Sequence, residues 1–191
     1  MLTHEFTLLL RGPLPISDAA VEGLYADVGD GLVGERDGYG YVDFHREAPD
    51  LATAIAGAIE QVEAALPGFT VARIEPDELV TMSVVAERVG RTRESVRLLI
   101  AERRGPGGFP PPVARIDGRT RLWRWADVYD WFRDAVGTAP GGAAPSRIVS
   151  AANAALDLRA ARAAGLSASL RPVLAVLDAA GKHGDRVRSS A

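Results

Sequence analysis

The residues of this chain best suited to chemistry are arginines. Between Thr81 and Arg124 there are 10 basic and 4 acidic residues, whereas residues 1–80 carry 4 basic and 15 acidic and residues 125–191 carry 8 and 6. The formal net charge of −3 hides this separation. A cationic middle segment points to an anionic partner, and guanidinium groups suit phosphate because they present forked donors and never titrate. Other chemistries lack their parts. There is no cysteine, and His4, His45 and His183 lie far apart, which speaks against thiolate and histidine metal sites and leaves no metal or cofactor expected. No carboxylate pair or nucleophile with a base stands at a meaningful spacing, so an enzyme is not expected. Gly105-Pro106-Gly107-Gly108 is read as a linker, since no strand-to-helix context makes it a phosphate cradle.

The arginines need a scaffold, and the pattern after Met82 supplies one. Ala86, Gly90, Val96 and Leu99 stand where a helix-turn-helix requires a small crossing residue, a left-handed turn residue and two core residues. Val85 and Val89 join that core, and Ser83 and Thr92 are the expected caps. A helix beginning after Thr92 leaves Arg93, Glu94, Ser95 and Arg97 outward, where the first turns of a recognition helix meet base edges and phosphates. Further on, Asp117-Gly118 is a hairpin turn within residues 114–124, and Val128, Trp131 and Phe132 form one face of a closing helix.

Phe109-Pro110, Pro112-Val113, the arginine-flanked turn, Arg124-Trp125, Asp127-Val128 and Trp131 together resemble the AlpA-type regulators and excisionases, winged members of the MerR-like superfamily. The resemblance covers residues of about 80 to 135. It implies a second helix in the major groove, with recognition by Arg91, Thr92, Arg93, Ser95 and Arg97. It also implies a hairpin wing on the backbone or minor groove, with contacts from Arg115, Arg119 and Arg121. Phe109, Trp123, Trp125 and Trp131 are expected to pack the wing on the helices. The chain departs from the family in the acidic segment before this module, the helical region after it, and a long Gly-rich linker behind the second helix.

Before the module, residues 1–78 read as strand, helix, strand, strand, helix, strand. Residues 5–10, 32–35, 39–45 and 69–74 carry strand patterns, and Ser17 and Asp50 cap the two helices. Asp37-Gly38 joins the middle strands as a hairpin. That βαββαβ order is the ferredoxin-like split βαβ unit. Its acidity and lack of an aromatic RNA-binding strand disfavour RNA, and Tyr39, Tyr41 and His45 are read as ordinary cross-strand residues.

The expected fold is therefore α+β: a ferredoxin-like acidic domain at residues 1–78, for dimerisation or a partner, and a winged helix-turn-helix domain at 79–136. Beyond these come a linker at 137–145, a helical hairpin at 146–181 with Pro172 beginning its second helix, and a disordered tail at 182–191. Residues 6–10 are too short for a membrane span and no signal peptide is evident, so a cytoplasmic, nucleoid-associated protein is expected. The implied function is sequence-specific double-stranded DNA binding by a bacterial or phage transcription regulator. Helix 92–101 would read the major groove, and wing 114–124 the backbone or minor groove. Homodimerisation through the N-terminal domain or the C-terminal helices is expected. The alternative is an excisionase-like architectural protein, or an antitoxin-like protein whose acidic domain holds a partner protein.

Overall fold

The computed structural model describes residues 1–116, 119–141 and 146–188, with side chains as far as residue 178. At 47% helix and 25% strand it is a mixed α+β chain. The chain forms two compact units, Met1–Asn153 and Ala154–Ala191. The division falls inside a helix and not after residues 78 and 136, where the sequence pattern changes.

The first sheet is built from β1 (Leu2–Arg11), β2 (Gly31–Arg36), β3 (Tyr39–Ala48) and β4 (Thr70–Glu75), with α1 (Asp18–Asp27) and α2 (Leu51–Ala65) between them. Its strand order is β2-β3-β1-β4, and every neighbouring pair is antiparallel. Alternation along the strands decides which face is covered. Phe6, Leu8 and Leu10 of β1 and Val42 and Phe44 of β3 are buried, together with Leu24 of α1 and Ala54, Ile55, Ala58 and Val62 of α2. The other face carries cross-strand polar pairs: Thr7 donates to Asp43 at 2.6 Å, and Glu5 lies 3.3 Å from His45. Ser17 and Asp50 cap α1 and α2 as expected, accepting from the backbone of Ala20 and Thr53. Asp37 and Gly38 take φ of 53° and 82°, the left-handed pair that a tight hairpin needs.

The second sheet comprises β5 (Leu79–Thr81), β6 (Ala114–Ile116) and β7 (Thr120–Arg124), in the order β5-β7-β6. Helices α3 (Met82–Arg88), α4 (Arg93–Ile100) and α5 (Trp125–Trp131) accompany it, and α5 runs on into a π-helical turn, Phe132–Val136. The sequence pattern does not disclose β5. Its three residues are stabilised by pairing with β7, far along the chain, with Val80 opposite Trp123. This strand also moves the cap of α3. Thr81, not Ser83, accepts from the backbone of Val84, because β5 delivers Thr81 in extended conformation at the helix start.

In the remaining chain, α6 (Arg147–Ala163) and α7 (Ser167–Arg188) are joined through Gly165 at φ 79°. Ser146 accepts from the backbone of Ile148 at the start of α6. Pro172 lies inside α7 and does not begin it, since Ser167 opens the helix about a turn earlier. As the sixth residue of the helix it lies beyond the first turn, and its missing N–H leaves the Ala168 carbonyl without its i+4 donor. Residues 182–188, expected to be a disordered tail, are helical: propagation through Ala179 and Ala180 closes one further bond per residue. The expected Asp117-Gly118 turn, residues 142–145 of the linker and residues 189–191 of the tail lie outside the described residues.

The two sheets are tied by one carboxylate. Asp77, on the segment between β4 and β5, has a side chain 3% exposed, and it accepts hydrogen bonds from Arg73, Arg124, Ser150 and Asn153. Burial pushes its pKa up, but the Asn153 amide, the Ser150 hydroxyl and the two guanidinium groups outweigh this and hold it below the usual carboxylate value. Asn153 also accepts from the Ile74 N–H at 2.8 Å and donates to the Ile74 carbonyl at 2.9 Å, closing the outer edge of β4.

Asp77→Ala is expected to lower unfolding free energy by about 3 kcal/mol, because two partly buried guanidinium groups lose their counter-charge. A carboxyl held below its unfolded pKa of about 3.9 contributes its stabilisation fully above that pH and loses it as pH falls through the folded value. Asp77→Asn should therefore flatten the fall in stability below about pH 4. Denaturant titrations across that range measure both effects; an acid limb identical to that of the unaltered chain would contradict the account.

Candidate nucleic-acid interface

The segment from α3 to α4 is held by backbone geometry at its turn. Gly90 adopts φ 62°, the Arg91 N–H reaches the Ala86 carbonyl at 2.9 Å, and the Gly90 N–H reaches the Glu87 carbonyl at 3.1 Å. This is a Schellman closure, which ends α3 sharply. Two residues later Thr92 caps α4 by accepting from the Ser95 N–H at 3.1 Å. Val85, Ala86, Val96 and Leu99 are buried between the helices, while Arg93, Glu94 and Arg97 lie on the exposed side of α4. A second Schellman closure ends α4, with Glu102 in the left-handed region at φ 53°.

The β6–β7 hairpin shares the same core. Trp123 is fully buried, and its indole N–H donates to the Pro110 carbonyl at 3.0 Å. Trp131 donates similarly to the Gly107 carbonyl at 3.0 Å. Phe109 stands edge-on between them, its ring centre 6.2 Å from Trp123 and 4.9 Å from Trp131. Indoles with satisfied N–H groups and edge-to-face rings fix the position of a segment that has no regular backbone bonding of its own. The Gly-rich stretch after α4 is thus pinned at Gly107, Phe109 and Pro110. Gly105 meets the core as well: a Cβ there would sit 2.6 Å from Leu99.

The eight residues expected to touch nucleic acid fall into distinct situations. Arg93, Arg115 and Arg119 are exposed and have no ion-pair partner among the described residues. Arg97 is exposed but held by Glu94 through two hydrogen bonds of 2.6 and 2.7 Å. That contact lowers the Glu94 pKa and raises that of Arg97, so both are ionised near neutrality. An exposed pair of this kind adds little stability and is easily broken. Arg91 lies over the Phe132 ring at 5.6 Å, and Arg121, half-buried, over Trp123 at 5.2 Å. Thr92 has its hydroxyl engaged as a cap, and Ser95 is half-exposed.

Two exposed cations are not singled out by spacing. Arg103 and Arg104 come directly after α4, without an ion-pair partner among the described residues. Their adjacency at a helix end is the available signal, and the linker character of Gly105-Pro106-Gly107-Gly108 beside them obscures it. Arg88 is structural: it pairs with Glu78 and lies 4.9 Å over the Trp125 ring.

No family model, curated protein or solved structure matches this chain. Among the described residues, no helix is long and apolar enough to cross a membrane.

The dual position of Thr92, cap and expected contact, can be resolved. Thr92→Ala should cost about 1 kcal/mol of stability in the absence of any ligand, whereas Thr92→Asp, another good cap, should cost little. Thermal unfolding of the two variants checks this. Equal losses in both would deny the capping role.

Proposed function

We propose that this chain is a sequence-specific double-stranded DNA-binding protein, a bacterial or phage regulator associated with the nucleoid. In this reading residues 1–78 are a ferredoxin-like domain, and residues 79–136 are a winged helix-turn-helix of the AlpA type. Helix α4 enters the major groove, and the β6–β7 hairpin lies along the backbone or the minor groove.

One observation carries the reading: Arg93 on α4 and Arg115 and Arg119 on the hairpin are exposed and without an ion-pair partner among the described residues, and both elements pack on one aromatic core. Arg93 heads α4, and Arg115 and Arg119 flank the hairpin turn. The scaffold behind them consists of Val96, Leu99, Trp123 and Trp131, all buried. Along the sequence the acidic residues of the first 80 positions precede this cationic segment, and of them Asp77 and Glu78 pair with its Arg124 and Arg88. Ferredoxin-like naming rests on the β2-β3-β1-β4 order with two helices in the connections.

Phosphate contacts from Arg93, Arg115 and Arg119 would release counterions and provide affinity. Sequence choice would come from Arg97 and Ser95, with Glu94 as the switchable neighbour. Glu94 holds Arg97 in place in the free protein, and a guanine edge would draw it away. The alternative is an excisionase-like architectural protein, or an antitoxin-like protein whose acidic N-terminal domain binds a partner protein.

Arg93→Ala and Arg115→Ala should each reduce the slope of log K against log salt by about one unit. Glu94→Gln should strengthen non-specific binding by about fivefold, since it frees Arg97 and removes a charge that repels phosphate. Thr92→Asp should weaken binding while leaving the fold intact. Fluorescence anisotropy with a DNA pool selected from genomic fragments provides the measurement. Binding that is absent at low salt, or indifferent to Arg93 and Arg115 together, would refute the proposal.

A further inference from the structure

We propose that the loop after α4 is a third DNA-contact element, in which Arg103 and Arg104 hold backbone phosphates at the C-terminal end of the recognition helix. The inference rests on the DNA-binding reading of α4 and the hairpin, and adds a contact that neither of those elements supplies. Both arginines are exposed and have no ion-pair partner among the described residues. Arg103 is fixed where α4 ends: its N–H donates to the Leu98 carbonyl at 3.0 Å, which sets its backbone beside Leu98. At 3.6 residues per turn, Leu98 lies about 130° around α4 from the midpoint of the buried Val96 and Leu99. That is the outward side of the helix, which also carries Glu94.

The rest of the loop holds that position. Glu102, in the left-handed region at φ 53°, accepts from the Gly108 N–H at 3.0 Å and closes residues 102–108 into a compact loop. Gly105, at φ 86°, brings the chain back against Leu99, where a Cβ would sit 2.6 Å away, and the Trp131 indole N–H holds the Gly107 carbonyl. Arg103 and Arg104 are thus the whole excursion between two anchored residues. A cation on such a loop loses less freedom on binding than one on an open linker. The position of the pair explains its use. The eight residues of α4 span about 12 Å, close to the width of the major groove, so its two ends come within reach of phosphates on the two strands. The N-terminal end of a helix attracts phosphate, whereas the C-terminal end, with its partial negative charge, repels it. Two guanidinium groups at that end reverse the sign.

Fluorescence anisotropy of the full chain with duplex DNA, titrated with salt, tests this. Arg103→Ala combined with Arg104→Ala should lower the slope of log K against log salt by about two units. The order of preference among duplexes should stay the same, because phosphate contacts carry no sequence information. Arg11→Ala controls for the loss of charge alone: Arg11 is exposed and pairs with Thr70, at the end of β4 away from Asp77, and its removal should leave the slope in place. Glu102→Ala and Glu102→Gln remove the same charge, but only glutamine keeps an acceptor for the Gly108 N–H. The alanine variant should therefore bind roughly threefold more weakly than the glutamine variant. If Arg93→Ala lowers the slope and the double arginine variant does not, or if Arg11→Ala lowers it as much per charge, the loop contact is overturned and the DNA reading stands. If the unaltered chain binds no duplex at low salt, both fall.

Discussion

A single buried carboxylate fixes how the two sheets of residues 1–153 are joined. Asp77 takes hydrogen bonds from Arg73 on β4, from Arg124 on β7, and from Ser150 and Asn153 at the start of α6. A desolvated anion tolerates little slack, because each donor withdrawn leaves a charge that water no longer solvates. The three elements are therefore held to one geometry. Residues 1–153 form one compact unit, and this cluster lies where its two sheets meet.

From that junction outward, β7 organises everything that carries the cationic surface. Its Arg124 reaches Asp77, its Trp123 enters the core, and its backbone pairs with β5 on one side and β6 on the other. The Trp125 N–H at its end donates to the Glu78 carbonyl at 2.8 Å. A hairpin held this way does not swing freely, so the positions of Arg115 and Arg119 are defined by a core they do not themselves touch. The same logic covers α4, whose exposed arginines are placed by Val96 and Leu99 on its opposite face. Cationic residues of this kind cost little in the folded state because they remain solvated, and they are available because the apolar face beneath them does the positioning.

Legibility in the sequence tracks the range of the interaction. Helical and strand periodicity, the Ser17, Asp50 and Thr92 caps, the Asp37-Gly38 turn and the left-handed Gly90 are encoded within a few residues, and the structure has each of them. β5 is illegible because three residues carry no period, and only pairing with β7 makes them a strand. The Asp77 cluster is illegible because its bonds span 47, 73 and 76 residues. At the candidate interface the residue types are readable but their engagements are not. Arg91 and Arg121 lie over rings, and whether a ring lies beneath a guanidinium is decided by tertiary packing. The Glu94–Arg97 pair, by contrast, has helical i,i+3 spacing, a signal that local sequence does carry.

That pair also bears on how a surface of this kind can discriminate. A free guanidinium binds any phosphate, whereas one already satisfied by a neighbouring carboxylate must be offered something better before it moves. Glu94 is on the same exposed helix face as Arg93, so under the proposed function a duplex approaching α4 would meet Arg93, without an ion-pair partner among the described residues, beside the neutralised Arg97. Non-specific backbone contact would use the first and leave the second in place, since exchanging a carboxylate for a phosphate gains little. A base edge presenting two acceptors to Arg97 offers the bidentate geometry that the carboxylate had supplied, while Glu94 in turn becomes free to accept from an amino group. Selectivity would then arise from an exchange of partners rather than from added charge. The weakness of the exposed pair is what keeps that exchange within reach.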